Sequence, residues 1–171
     1  YWQGKAEVRQ QVALARIVET GLPLIYVNQC GGQDELVFDG GSFGLHGDRS
    51  LAFQMPQFEA GVTVITWKKT DGACRCVDGP KAALPNTEEA NWRAGVAGLR
   101  DYVNKNGFPG VVLGLSGGID SAVCAAMAVD AIGPERVHCV MLPYRYTSNE
   151  SLNDAAEMAE TLGVRYDIVP I

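Results

Sequence analysis

The chain has 171 residues, a length that fits one domain or two small ones. Apolar residues make up 47% of it, enough for a core, and the net charge of −6 argues against nucleic-acid and membrane-surface partners, because proteins usually bind these through basic patches. No apolar run approaches the roughly 18 residues of a membrane span, and no signal peptide is visible. Five cysteines at irregular spacing, without a CxxC pair, are typical of reduced thiols, so we expect a cytoplasmic protein.

The first part of the chain is predicted to be one helix followed by strands. Apolar residues at helical spacing predict a helix over residues 5–20, which Gly21 ends. Apolar and β-branched runs predict strands over residues 22–28, 51–55 and 61–67, and strands or turns over residues 33–39 and 40–44, with a glycine turn at Gly31 and Gly32. Residues 68–80 lose hydrophobic periodicity, which indicates a loop and linker. The chain opens at Tyr1 without a methionine, so we expect a piece of a longer polypeptide.

A second helix is predicted over residues 86–106. Asn86 and Glu89 make a capping-box-like start, and Gly107 ends the helix. Its apolar side chains form one stripe that we expect to pack on a sheet or on a partner subunit: Trp92, Val96, Leu99 and Val103.

Strands and helices alternate in the rest of the chain. Strands are predicted over residues 111–115, 136–142 and 164–169, and helices over residues 121–132 and 154–162. The first of these strands is an apolar run typical of a buried parallel strand, and we expect it in the middle of the sheet. Strand–helix–strand units are almost always parallel and bind ligands at the carboxyl ends of their strands, so the first two strand ends should face one crevice.

The turn after that first strand carries the strongest functional signal, within Val111–Ser121, VVLGLSGGIDS. Gly117 and Gly118 lack Cβ atoms, so the backbone there can turn with positive φ and its N–H groups can approach a ligand. The helix start that follows adds about half a positive charge and several unpaired N–H donors, which suit phosphate. The sequence therefore predicts a nucleotide site.

Three other known motifs place glycines at a turn of this kind. The stretch has no lysine, which excludes a Walker A loop, and its glycine spacing excludes the Rossmann fingerprint. Residues 114–118 do match GxSxG, the nucleophile elbow of serine hydrolases, with Ser116 as the nucleophile. Only His138 follows, inside the next predicted strand, where it is poorly placed as a general base. A serine hydrolase, a non-catalytic nucleotide-binding module and an ordinary glycine turn remain the alternatives.

Residues 116–121, SGGIDS, resemble the pyrophosphate loop of the ATP pyrophosphatases. Together with Val27–Asp48 and Met141–Gly163, they make nearly the whole chain similar to glutamine-dependent NAD synthetase, in which a nitrilase-like amidase domain precedes the ATP-using domain. The resemblance implies an α/β protein of two parts. Residues 1–80 would be the C-terminal part of a nitrilase-like α-β-β-α sandwich, and residues 81–171 the start of a Rossmann-like parallel α/β ATP pyrophosphatase domain.

The same resemblance implies the ligands of the second part. ATP is expected on the loop residues Gly114, Leu115, Ser116, Gly117, Gly118, Ile119, Asp120 and Ser121. Asp120 would also hold Mg²⁺, a hard cation that prefers oxygen ligands. The other implied substrates are nicotinic acid adenine dinucleotide and glutamine or ammonia, and the implied assembly is a homo-oligomer.

In the first part, the resemblance gives one ligand-binding residue. Lys5 matches a basic residue that contacts the substrate glutamine in family members; the alternative is an exposed lysine at a helix start. The Glu-Lys-Cys triad of the amidase would lie upstream of Tyr1, so we expect no catalytic residue in this chain and no complete activity from it alone. Cys30 is not the expected nucleophile. Asp34 and Glu35 are better interpreted as turn-solvating acids or structural hydrogen-bond acceptors than as a general base.

The segment Pro143–Ser151, PYRYTSNES, lies at the end of the second strand of the parallel unit. Its tyrosines, arginine and hydroxyl groups fit a loop that closes on phosphates and on an adenine or pyridine ring. The alternative is a surface loop in which Ser148 or Asn149 caps the next helix.

Overall fold

In a computed structural model, the protein is described from Tyr1 to Ile171 and divides into two compact units. Unit 1 comprises Tyr1–Ala94 and unit 2 comprises Gly95–Ile171, so the division falls inside a helix. The predicted domain limits, residues 1–80 and 81–171, differ from the limits of these units and stay a prediction. None of the helices combines the length and the apolar character that crossing a bilayer would require.

Unit 1 contains one long helix and seven short strands. Helix α1 spans Lys5–Thr20, as predicted, and Gly21 ends it in the left-handed conformation with φ of 67°. The strands are β1 (Leu24–Tyr26), β2 (Cys30–Gln33), β3 (Leu36–Asp39), β4 (Phe43–Leu45), β5 (Leu51–Gln54), β6 (Thr66–Thr70) and β7 (Ala73–Asp78). They form an antiparallel sheet in the order β1-β4-β5 and two hairpins, β2–β3 and β6–β7.

The core of unit 1 joins α1 to its three-stranded sheet. Ala13 and Ile17 lie four residues apart, on one face of α1, and both are buried. They form a cluster with Phe43 and Leu45 of β4, the central strand of that sheet. The helix is therefore fixed to the sheet by Ala13 and Ile17. Three of the valines whose helical spacing predicts the helix, Val8, Val12 and Val18, are exposed instead.

Three predictions in unit 1 are wrong. Gly31 and Gly32 lie in strand β2 rather than in a turn, and the predicted strand over residues 61–67 begins only at Thr66. The predicted linker over residues 68–80 is largely the β6–β7 hairpin. Its turn residues, Asp71 and Gly72, both have positive φ, the signature of a two-residue hairpin turn. The polar strands on either side hide this signal, because both are mostly exposed.

The helices and parallel strands predicted after residue 85 are all present. They are α2 (Thr87–Lys105), which begins in unit 1, then β8 (Val111–Gly114), α3 (Ile119–Ile132), β9 (Val137–Met141), α4 (Asn149–Leu162) and β10 (Arg165–Ile168), with a short 3₁₀ turn at Pro134–Arg136. Asn86 caps α2, because its Oδ1 accepts the Glu89 N–H at 2.9 Å, as the capping-box pattern predicts. The sheet is parallel throughout, in the order β10-β9-β8.

The prediction that the first of these strands lies mid-sheet is wrong for the strands described. β8 is at an edge and β9 is central. Leu115 is 1% exposed whereas Val112 is 70% exposed, so the apolar run covers one buried face and one open face. An apolar run alone does not distinguish these cases, because it does not reveal how many neighbours a strand has.

The core of unit 2 is built on small side chains. Helices α3 and α4 contribute buried alanines, and β9 contributes alternate residues facing the same way: Ala125, Ala128, Ala155, Ala159, Val137, Cys139 and Met141. Val96, Leu99 and Val103 of α2 also pack against this core, which confirms the predicted packing for these three members of the stripe. Burial in this core raises the pKa of the Cys139 thiol.

Candidate functional site

A cavity of about 470 Å³ opens in unit 2 at the carboxyl ends of β8 and β9. It is lined by Gly114–Ser116 after β8, by Val140–Leu142 at the end of β9, and by residues 146–148 with Ser151 at the start of α4. The two strand ends thus share one crevice, as the parallel topology predicts.

Gly117 is the position in the turn at which only glycine fits. Its φ is +80°, a conformation that L residues rarely adopt. A Cβ atom built there would lie 2.3 Å from the carbonyl oxygen of Ser151. Gly118 differs from the expectation of a positive φ, since its φ is −88°, and a Cβ there would meet only Ser116 Oγ, at 3.4 Å.

Two serine hydroxyl groups brace the turn from inside. Ser121 Oγ donates to the carbonyl oxygen of Gly118 at 2.8 Å and accepts the Ser116 N–H at 3.1 Å. Since the Ser121 proton is used there, the contact of 3.1 Å between the two hydroxyls is a donation from Ser116 to Ser121. Ser116 Oγ in turn accepts the Gly118 N–H at 3.3 Å. Both hydroxyl protons are therefore committed within the turn.

The start of α3 is open to a ligand, whereas the start of α4 is not. Ser148 caps α4 by accepting the Ser151 N–H at 3.1 Å, which confirms one of the interpretations of this segment. Gly118 precedes α3 and has no side chain with which to cap it. The first-turn amides of α3 thus remain available beside the glycine turn, in the arrangement that favours an anion.

Asp120 is exposed in the first turn of α3. No group of three or more metal-binding side chains occurs in the structure, so the protein does not enclose an ion here with its own side chains. Mg²⁺ commonly takes one or two carboxylates and completes its shell with water and substrate phosphate oxygens. The residues present are therefore compatible with an ion that binds together with a phosphate ligand.

The segment between β9 and α4 places aromatic groups beside the cavity. The Arg145 guanidinium lies 4.6 Å from the ring centroid of Tyr146 and 5.6 Å from that of Tyr144. Tyr146 lines the cavity and is 77% exposed. Closure of this segment on a nucleotide stays a prediction.

The geometry is unfavourable for a serine hydrolase at Ser116. His138 pairs with Val112 across the sheet, and Ser116 lies four residues further along, about 13 Å at the usual rise per strand residue. The His138 Nε2 atom also contacts Asp167 Oδ2 at 2.7 Å. Because the Ser116 proton is donated to Ser121, no general base is in position to remove it.

In unit 1, Lys5 is the first residue of α1 and lines a cavity of about 210 Å³ with Asp39, Gln57 and Asn86 among others. Its Nζ atom lies 5.4 Å from the ring centroid of Trp2. Asp34 and Glu35 form the exposed β2–β3 turn, so the interpretation as turn-solvating acids is confirmed.

Sequence reasoning missed the buried carboxylate of Asp39, which is 2% exposed. It accepts hydrogen bonds from Arg9 at 2.7 and 2.9 Å, from Asn28 at 2.9 Å and from Gln57 at 3.1 Å. The available signal was an aspartate at the end of an apolar strand, a position where an unpaired charge would be strongly unfavourable.

Comparisons with known proteins agree with these features. Residues 91–171 match the family model described as NAD synthase. Over all 171 residues the chain is 52% identical to a glutamine-dependent NAD(+) synthetase of Rhodobacter capsulatus and 42% identical to one of Acinetobacter baylyi, and it spans 31% of the length of each. Its fold matches the solved structure of a glutamine-dependent NAD+ synthetase from Acinetobacter baumannii in complex with ADP, with a TM-score of 0.92 and 43% identity, over 100% of this chain and 32% of that one.

Unit 2 is thus part of an α/β domain of the NAD synthase type. The whole chain is similar to glutamine-dependent NAD(+) synthetases, as the sequence predicts.

Proposed function

We propose that the protein to which this chain belongs synthesises NAD with glutamine as the nitrogen donor. The carboxylate of nicotinic acid adenine dinucleotide attacks the α-phosphorus of ATP, and the bond from that phosphorus to pyrophosphate breaks. Ammonia released from glutamine then attacks the acyl carbon, AMP leaves with the bonding electrons, and loss of a proton gives the amide. The similarity to glutamine-dependent NAD(+) synthetases supports the overall reaction, whose individual steps are part of the proposal.

The observation that carries the proposal is the braced glycine turn beside the open start of α3. Ser116 of this turn lines the cavity of about 470 Å³, and Gly117, Gly118 and Ile119 line a second cavity of about 370 Å³. The ATP-binding residues are those of Gly114–Ser121, with the triphosphate beside Gly117 and Gly118 and on the open backbone amides of the first turn of α3. The similar structure from Acinetobacter baumannii is a complex with ADP, which supports a nucleotide as ligand. No covalent nucleophile is needed, which agrees with the internal use of the Ser116 proton.

Asp120 is the residue that would hold Mg²⁺, together with phosphate oxygens and water. When bound, the ion would offset the charge that develops on the departing pyrophosphate. The open start of α3 contributes in the same direction, because its amides and dipole favour negative charge.

Unit 1 is proposed to be the C-terminal part of a nitrilase-like amidase domain. Lys5 would pair with the carboxylate of the substrate glutamine as a compact point charge. The amidase triad would lie outside this chain, so the chain by itself would complete neither half-reaction. A cytoplasmic homo-oligomer is part of the same proposal.

Exchange of labelled pyrophosphate into ATP by the full-length protein tests the proposal. We expect exchange that requires nicotinic acid adenine dinucleotide, because adenylation of its carboxylate is the reversible step that releases pyrophosphate. Binding of ATP without exchange would favour the nucleotide-binding module instead. Reaction of a fluorophosphonate probe at Ser116 would favour the hydrolase.

A further inference from the structure

The cavity beside Lys5 in unit 1 presents polar groups of opposite character. Lys5 is exposed at the start of α1, where no side chain caps the helix. Gln57 and Asp39 line the same cavity and are 6% and 2% exposed. A space of about 210 Å³ with a cation and buried oxygen atoms in its lining suits a small zwitterion better than a simple anion.

The hydrogen bonds of Asp39 fix how the Gln57 amide is turned. Gln57 Nε2 donates to Asp39 Oδ2 at 3.1 Å, and a carboxylate can only accept, so the nitrogen must face Asp39. Asp39 also accepts from Arg9 and Asn28, so each of its oxygens already has two donors. Asp39 is therefore satisfied and serves to orient Gln57.

The carbonyl oxygen of Gln57 is left as a free acceptor. It accepts no hydrogen bond within the structure. Two side-chain polar atoms are both inaccessible to solvent and without a hydrogen-bond partner, Trp67 Nε1 and the Tyr166 hydroxyl. The Gln57 oxygen is not one of them, so it is accessible although its residue is buried. A buried acceptor held in one orientation beside a cavity is ready for a donor from a ligand.

We infer that Gln57 accepts a hydrogen bond from the α-ammonium group of the substrate glutamine, while Lys5 pairs with its α-carboxylate. Asp39 acts as the positioning residue that holds Gln57. This inference rests on the proposed glutaminase function and assigns the group that distinguishes an α-amino acid from other amides with a carboxylate.

The test uses the full-length protein and glutaramate, which is glutamine without its α-amino group. In Gln57→Met, which keeps the side-chain length but removes the oxygen, the KM for glutamine should rise about ten- to a hundredfold, the usual range for loss of a hydrogen bond to a charged group. The inhibition constant of glutaramate and the rate of NAD formation from ammonium chloride should stay unchanged. Gln57→Asn, which keeps an amide but withdraws it by one methylene, should give the same selective effect at smaller size, and it serves if Gln57→Met does not fold.

Two matched variants complete the test. Gln54→Met changes a glutamine that is 4% exposed but that donates to the carbonyl oxygens of Gly41 and Met55 and does not line this cavity, so it should show no selectivity for the amino group. Glu7→Gln removes a carboxylate that does line the cavity, and it should leave the KM for glutamine unchanged.

The inference is overturned if Gln57→Met leaves the KM for glutamine unchanged, weakens glutamine and glutaramate equally, or if Glu7→Gln alone gives the selective loss. A wild-type protein that forms NAD from neither glutamine nor ammonia would instead overturn the proposed function and this inference with it.

Discussion

Gly117 and the carbonyl oxygen of Ser151 approach each other so closely that a methyl group on residue 117 would lie 2.3 Å from that oxygen. This contact joins the turn after β8 to the first turn of α4. The position and the conformation of the turn are therefore fixed together, since the same residue has φ of +80°.

The first prediction concerns this contact. Gly117→Ala should destabilise the protein by about 2 kcal/mol or more, because left-handed strain of about 1–2 kcal/mol adds to a clash with backbone. A lower melting temperature in the absence of nucleotide is the expected result. Gly118→Ala is the matched control, since its φ is −88° and its new Cβ would meet only a hydroxyl at 3.4 Å. Equal melting temperatures for the two variants would contradict the assigned roles.

A second prediction concerns the hydroxyl group that braces the turn. Ser121→Ala removes the donor to Gly118 O and the acceptor for the Ser116 N–H. At about 1 kcal/mol for each hydrogen bond, we expect the KM for ATP to rise several-fold to about thirtyfold. The melting temperature should change little, because Ser116 and Gly118, which lose their partner, are exposed and can bond to water instead. Ser121→Thr keeps the hydroxyl and should restore most of the affinity. An unchanged KM for ATP in Ser121→Ala would show that the brace does not shape the site.

A third prediction separates the two half-reactions. Asp120→Ala and Asp120→Asn should each abolish ATP-dependent amide formation in the full-length enzyme, because neither side chain supplies a charged oxygen for a divalent cation. Hydrolysis of glutamine to glutamate, measured separately, should persist. Loss of both activities to the same extent would contradict the assignment of Asp120 to the ATP site.

The fourth prediction concerns acid stability. The hydrogen bond from His138 and, next, that from Arg165 lower the pKa of Asp167 in the folded state. A carboxyl group with a lowered pKa stabilises the fold above its unfolded value, about 3.9, and this contribution is lost as the pH falls through the folded pKa. The difference in melting temperature between wild type and Asp167→Asn should therefore be largest above about pH 5 and shrink towards pH 3. A difference that stays constant between pH 3 and pH 7 would show that the ion pair does not contribute.

The sequence predicts the elements of this protein best where the signal is local. Helix α1 follows from apolar spacing and Gly21, and α2 from a capping pattern that the Asn86 hydrogen bond confirms. The parallel order of β8, β9 and β10 follows from strand–helix–strand alternation. The β6–β7 hairpin was missed because its strands are exposed and lack an alternating apolar face, so only the turn at Asp71 and Gly72 marks it.

The side-chain arrangement of the candidate sites could not be predicted from the sequence. Asp39 accepts a hydrogen bond from Arg9, thirty residues away in the sequence, and no local pattern relates the two residues. The need for glycine at residue 117 was predictable in kind, but its contact with Ser151 depends on how α4 packs. The inward direction of the Ser116 and Ser121 hydroxyls likewise depends on the completed turn, although both lie in the motif that indicated a nucleotide.

Helices α3 and α4 pack through alanines, and Ala125 and Ala155 are wholly inaccessible to solvent. Because these side chains are small and fully buried, the space between the two helices has no room for a larger one. A bulkier residue at either position would push the helices apart and move Ser151 away from the bend that precedes α3. Neither alanine lines the cavity, so a substitution there would mimic a defect in nucleotide binding without touching the ligand. Variants of these alanines should therefore be judged by the shape of the bend as well as by melting temperature.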